Sequence, residues 1–222
     1  MHGKSIHDLQ PHEIEKYIYL SSQYPITQRK DADFHIVDST VRTNYLSHFW
    51  TIKAFLPGML RLQKGTIVTI SSVVGHVGPK FLTDYASTKA AATTLHYALT
   101  ADLGGANAPI KTLLVEPGQM STNLFAGVET PSNFFAPVLE PVDVAKEIIA
   151  AIDAGTGGVL AMPTYSRWIH LMKVLPVSVQ RLVKWWSGCD EAMQKRKTIR
   201  QRLYYSDDED EIVEEKGKPD SD

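Results

Sequence analysis

The chain is expected to be an α/β protein built on parallel strands with helices between them, and three observations say so. Residues 66–75 read Thr-Ile-Val-Thr-Ile-Ser-Ser-Val-Val-Gly, a β-branched run that opens into small polar residues. A run of this kind suits a strand buried on both faces of a parallel sheet. A second run, Ile110–Val115, ends in Pro117-Gly118, and between the two lies an Ala-rich stretch, Tyr85–Leu103, that reads as a helix.

Taken in order, Leu46–Leu62 reads as a helix carrying Phe49, Trp50, Ile52, Phe55, Leu56 and Met59, with Pro57 forcing a kink or an early end. Asn44, just before it, is expected to open that helix. The strand at 66–70 delivers Ser72 at its carboxyl end, where open α/β sheets place their chemistry. The Pro141–Ala154 stretch has proline at its first position and Gly155 just beyond its end, both good helix boundary signals. It leads into a short strand, Val159–Met162. Gly155-Thr156-Gly157-Gly158 therefore follows a helix and reads as a cap and turn.

The chemistry concentrates in Tyr-Ala-Ser-Thr-Lys at 85–89. Tyr85 and Lys89 are four residues apart on a helix, so phenol and ammonium share one face. A fixed positive charge beside a phenol favours the phenolate. Such a phenol can trade a proton with an alcohol or carbonyl near neutral pH. Ser72, thirteen positions upstream, could hold the substrate oxygen. Taken alone, Tyr-x-x-x-Lys is more often a surface helix pair. His76, in Gly-His-Val-Gly, could act as a base, but a histidine beside a strand end is more often structural.

Asn44, Ser72, Tyr85 and Lys89, in this order and spacing, resemble the Asn–Ser–Tyr–Lys tetrad of the short-chain dehydrogenase/reductase family. The resemblance covers about Gly3–Lys16 and Thr40–Trp186. It implies the C-terminal part of a doubly wound Rossmann-type parallel sheet and an NAD(P)-dependent oxidoreductase, with NADP favoured over NAD. Tyr85 would be the proton donor and acceptor, Ser72 would polarise the oxygen, Lys89 would tune Tyr85 and hold the ribose, and Asn44 would support a proton relay. Pro117-Gly118-Gln119-Met120-Ser121-Thr122 is similar to the family's loop over the cofactor, implying contacts from Pro117, Gly118, Met120 and Thr122. Lys53 is carried over from family binding patterns. The Gly-His-Val-Gly string and Leu46–Pro57 narrow the likeness to the branch of epidermal retinol dehydrogenases and certain 17-beta-hydroxysteroid dehydrogenases. That implies a hydrophobic alcohol or its ketone or aldehyde as substrate, lipid metabolism, and a cytoplasmic-side location at endoplasmic reticulum or lipid droplets. By resemblance, the helices matching Leu46–Leu62 and Tyr85–Leu103 would form the family's dimer interface, implying a homodimer; the alternative is that these faces simply cover the sheet. Asn123–Ala136 falls where the family keeps its substrate lid, and reads either as such an apolar lid or as a segment that packs on the core.

The chain also departs from the family pattern. No G-x-G-x-x-G precedes a helix, so the first strands and the Gly-rich loop that brings a pyrophosphate to a helix N-terminus are missing. By this comparison Met1 is an internal start. Residues 17–39 interrupt the family match, with Pro25 and scattered charge; they read either as a translated intron or as a genuine surface insertion. A partial Rossmann-like domain over 1–205 follows from this, and so does an alternative function: a catalytically inactive fragment or interaction module derived from the family.

Composition sets the outer bounds. With 222 residues and 43% hydrophobic content, the chain can bury one substantial core. Residues 206–222 hold nine acids and two lysines, against 21 bases and 16 acids in residues 1–205. That tail is expected to be disordered and solvated. The single cysteine, Cys189, excludes an intrachain disulfide. The eight histidines show no His-x-x-x-His and no paired cysteines, so no metal constellation is read. Tyr165–Trp186 interleaves three tryptophans with Arg167, Lys173, Arg181 and Lys184, which suits either a membrane interface or a helix packed beside the substrate cavity. Lys195-Arg196-Lys197 with Arg200 and Arg202 has no recognition fold around it, so nucleic-acid binding is not expected.

Overall fold

Three parallel strands form one sheet in the order β1-β2-β3 in the computed structural model, which describes residues 34–122, 137–188 and 190–191. The elements are helix α1 (Phe34–Val41), a π-helical turn (Arg42–Leu46), α2 (Ser47–Leu62), β1 (Gly65–Ile70), α3 (Val74–Val77), α4 (Thr83–Asp102), β2 (Ile110–Pro117), α5 (Pro141–Asp153), β3 (Gly158–Met162), a 3₁₀ segment (Thr164–Val174) and α6 (Val177–Trp186). The 206–222 tail, the 195–202 basic cluster, most of 17–39 and the Asn123–Ala136 lid lie outside the described residues.

The central strand β2 is buried along almost its whole length, which its Leu-Leu-Val run requires. It pairs with β1 from Gly65↔Ile110 to Ile70↔Val115 and with β3 from Leu113↔Gly158 to Pro117↔Met162. Alternate side chains of β2 feed two layers. Leu113 and Val115 meet Val144 of α5 in a core extended by Val68, Ile148 and Leu160. On the other face, the Thr112 and Thr100 hydroxyls are 2.7 Å apart, and the Thr93 hydroxyl donates to Glu116 at 3.2 Å, both joining β2 to α4. Among the described residues β1 has a partner on one side only, so its outer edge carries unpaired backbone groups.

Two helix expectations are corrected. Asn44 does not open a helix: α1, the π turn and α2 run on from Phe34, and Asn44 sits in the middle of the π turn. The final residues of the 17–39 segment are thus helical. Pro57 neither ends α2 nor shortens it; the helix continues to Leu62 and closes on Gln63 in the left-handed region. The strand ends and α4 lie within two residues of expectation. The 165–186 stretch is not one helix, because Pro176 separates the 3₁₀ segment from α6.

Candidate active site

Lys89 and Tyr85 sit one turn apart in α4, and Lys89 Nζ lies 5.6 Å from the centre of the Tyr85 ring. The ammonium donates to the carbonyl of Ile70, the last residue of β1, at 3.0 Å. That contact fixes the helix against the strand end from which Ser72 emerges. Burial pulls the Lys89 pKa down to about 8, because a desolvated ammonium is disfavoured.

Ser72 is 5% exposed, and its hydroxyl donates to the Pro117 carbonyl at 3.3 Å while accepting weakly from the Val74 amide at 3.4 Å. Pro117 also accepts from the Val73 amide at 3.2 Å. The ends of β1 and β2 are therefore tied together at the serine. The close packing of α3 on α4 explains Gly75: a Cβ there would stand 2.9 Å from the Ala90 nitrogen and 3.1 Å from the Lys89 carbonyl carbon.

Asn44 joins the group through an intermediary. Its side-chain amide donates to the Thr88 hydroxyl at 3.3 Å, and Thr88 donates in turn to the Tyr85 carbonyl at 2.8 Å. The π turn that carries Asn44 is the kind of local widening frequently found at functional sites. One turn on, His48 is held below the ordinary histidine range by burial and by the Lys89 charge, against a raising contribution from the Asn44 backbone. Thr88 and His48 were both missed by reading the sequence. Thr88 stands next to Lys89 in the motif, so its position was a signal; nothing in the spacing singled out His48.

The loop residues divide. Gly118 donates its amide to the Met162 carbonyl at 2.7 Å, and a Cβ there would meet Pro163 at 3.0 Å and the Tyr165 hydroxyl at 3.1 Å. Met120 turns its side chain to the Leu113–Val115–Val144 core and pairs in a bridge with Leu139. The Thr122 amide donates to the Met120 carbonyl at 2.8 Å. Lys53 is exposed on α2, roughly 13 Å along the helix axis from Asn44. The fold also gathers His76, Glu116 and His170, which sequence spacing had left scattered.

The short chain dehydrogenase family model matches residues 23–133. The chain belongs to this family. Among curated relatives, the uncharacterized oxidoreductase TDA5 of Saccharomyces cerevisiae is 33% identical over 155 residues, 69% of this chain and 48% of that protein. The 17-beta-hydroxysteroid dehydrogenase 13 of Rattus norvegicus is 43% identical over 130 residues, 58% of this chain and 42% of that one. The chain thus spans about half the length, or less, of the curated relatives it matches. Among solved structures, a short chain dehydrogenase from Burkholderia cenocepacia in complex with NADP superposes with TM-score 0.58 at 16% identity, covering 77% of this chain and 74% of that one. One from Streptomyces avermitilis gives TM-score 0.54 at 20% identity, covering 80% and 76%. These two carry the fold: a Rossmann-like parallel sheet with helices, as expected from the sequence.

Proposed function

We propose that this chain supplies the acid–base machinery of an NAD(P)-dependent oxidoreductase that interconverts a hydrophobic alcohol and its carbonyl. The observation that carries this reading is the Lys89 ammonium 5.6 Å from the Tyr85 ring centre, at the strand end where Ser72 emerges. Tyr85 passes a proton to the carbonyl oxygen or takes one from the alcohol, with the neighbouring cation favouring its phenolate. Ser72 turns from the Pro117 carbonyl to hold the substrate oxygen. Asn44 and Thr88 position the first turn of α4. Of the three ammonium protons of Lys89, one goes to Ile70; the other two fit the hydroxyls of a ribose. Hydride transfer, which no side chain provides, comes from the nicotinamide when it is bound. Pro117, Gly118 and Thr122 contact the cofactor on the loop side, Met120 does so through its backbone because its side chain packs on the core, and Lys53 is a more distant contact. The names of the 17-beta-hydroxysteroid dehydrogenase relatives support a hydrophobic substrate.

A membrane-surface contact belongs to the same reading. Trp168, Trp185 and Trp186 are 68%, 72% and 70% exposed, with Arg167, Lys173 and Arg181 exposed among them, the combination that lies in a lipid interface. Among the described residues no helix is long and apolar enough to cross a membrane. Phe49, Trp50 and Phe55 are exposed on α2 and support a homodimer through that helix. The edge of β1 that has no partner among the described residues supports a second reading, an inactive interaction module.

Titration of the purified chain with NADPH and NADH, followed by turnover of alkyl alcohols and ketones, separates the two. Micromolar binding, with turnover that disappears in Tyr85→Phe, supports the enzyme; a chain that binds neither dinucleotide refutes it as an enzyme in its own right.

A further inference from the structure

Glu116 interrupts an apolar strand end, Leu-Leu-Val-Glu-Pro, and is 0% exposed. Its Oε1 accepts from the Thr93 hydroxyl at 3.2 Å and lies 2.7 Å from His76 Nε2. Oε2 is buried without a hydrogen-bond partner, and so is Nδ1 of His76. Oε2 points toward His170 Nε2, 3.5 Å away, and the two imidazoles meet edge to face with centres 4.6 Å apart. One donor atom from each of the three residues lies within 4.8 Å of the others. They come from three separate elements: α3, β2 and the 3₁₀ segment.

A carboxylate oxygen withdrawn from water with nothing to accept from is costly. Hydrogen bonding among these three groups leaves two polar atoms unused. A divalent cation gives the carboxylate oxygen Oε2 the partner it lacks. Two imidazole nitrogens and one carboxylate oxygen are the donor set of borderline ions, zinc foremost. Bonds of about 2.0–2.1 Å place tetrahedral donors roughly 3.3 Å apart, so the donors need shifts on the order of 1 Å to close around an ion. In the neutral imidazole of His76 the proton can move to Nδ1, which frees Nε2 for the metal. Thr93 supplies the hydrogen bond that orients a ligating carboxylate. His170, with its side chain 35% exposed, provides the entry path.

We propose that His76, Glu116 and His170 bind a divalent transition-metal ion that ties the Thr164–Val174 segment to the carboxyl end of β2. Glu116 directly precedes Pro117, whose carbonyl accepts from Ser72, so the ion braces the end of β2 against which the serine is hydrogen-bonded. It is a structural site, independent of the oxidoreductase reading.

The test is a cobalt(II) titration of the full 222-residue chain after stripping with a chelator, followed by visible absorption, with zinc(II) in competition. Saturation at a single equivalent with d–d bands is expected. His170→Ala and Glu116→Gln should each weaken the metal by at least about 100-fold, and Thr93→Val by about 10-fold, with circular dichroism unchanged. Zinc should also shift the His76 and His170 ring signals in the NMR spectrum of the wild-type chain, a readout that needs no variant to fold. Absence of saturable binding, affinity unchanged in both ligand variants (which would place the ion on the acidic 206–222 tail), a thiolate-to-cobalt band from Cys189, or unmoved histidine signals would each overturn the proposal.

Discussion

Replacing Lys89 with methionine should stabilise the protein at pH 7 while removing the charge beside Tyr85. Methionine keeps the length and apolar stem of lysine without the ammonium. The lysine pKa falls from about 10.4 in an unfolded chain to about 8 in the folded one. At about 1.4 kcal/mol per tenfold change in acidity, holding this charge in the fold at pH 7 costs up to about 3 kcal/mol. Losing the hydrogen bond to Ile70 returns about 1 kcal/mol, and Ile70 is exposed at the sheet edge, where its carbonyl can turn to water. Lys89→Met should therefore be about 2 kcal/mol more stable. The sign with pH follows from proton counts. Below pH 8 both states of the wild type hold the proton and the cost is complete. Between about 8 and 10.4 the unfolded chain binds more protons than the folded one, so wild-type stability rises with pH. The advantage of Lys89→Met should shrink toward zero by about pH 10. Urea denaturation followed by circular dichroism at pH 7, 8.5 and 10 measures this. A variant less stable than wild type at pH 7, or a stability gap that ignores pH, would refute the argument that burial sets the lysine's acidity.

Three further outcomes are expected. In the same variant the pKa of His48 should rise toward the ordinary histidine range without reaching it, since the Lys89 charge is the smaller of its two lowering causes; a histidine NMR titration reads this directly. Thr88→Val should cut the link from Asn44 to the Tyr85 carbonyl, lowering stability by about 1 kcal/mol, with turnover reduced more than cofactor affinity. Gly75→Ala should lose about 2 kcal/mol in denaturant melts, because its new methyl meets the backbone of α4 at 2.9 Å, which cannot swing aside as a side chain could.

The positions of Tyr85 and Lys89 were legible because four residues in a helix put two side chains on one face whatever surrounds them. The strands were legible for a similar local reason, as short apolar runs, β-branched in β1, bounded by turn residues. Asn44 reaches Thr88 of α4 but does not stand at a helix start, since a π turn inside a continuous helix leaves no cap residue or breaker to read. Of the two outcomes that Pro57 allowed, the early end is not seen, and the helix reaches Leu62 as its apolar pattern indicated.

The sequence by itself determined the local partners: a phenol and an amine one turn apart, a serine at a strand end, a glycine just past the end of a helix. Only the tertiary structure decided that the amine would lose water and acidify, and that Thr88 would connect Asn44 to Tyr85. It alone brought His76, Glu116 and His170, distant in the chain, to one buried point. Helix and strand periods are local and can be read from neighbouring residues; desolvation and convergence depend on which elements pack together, and that is settled by the whole core at once.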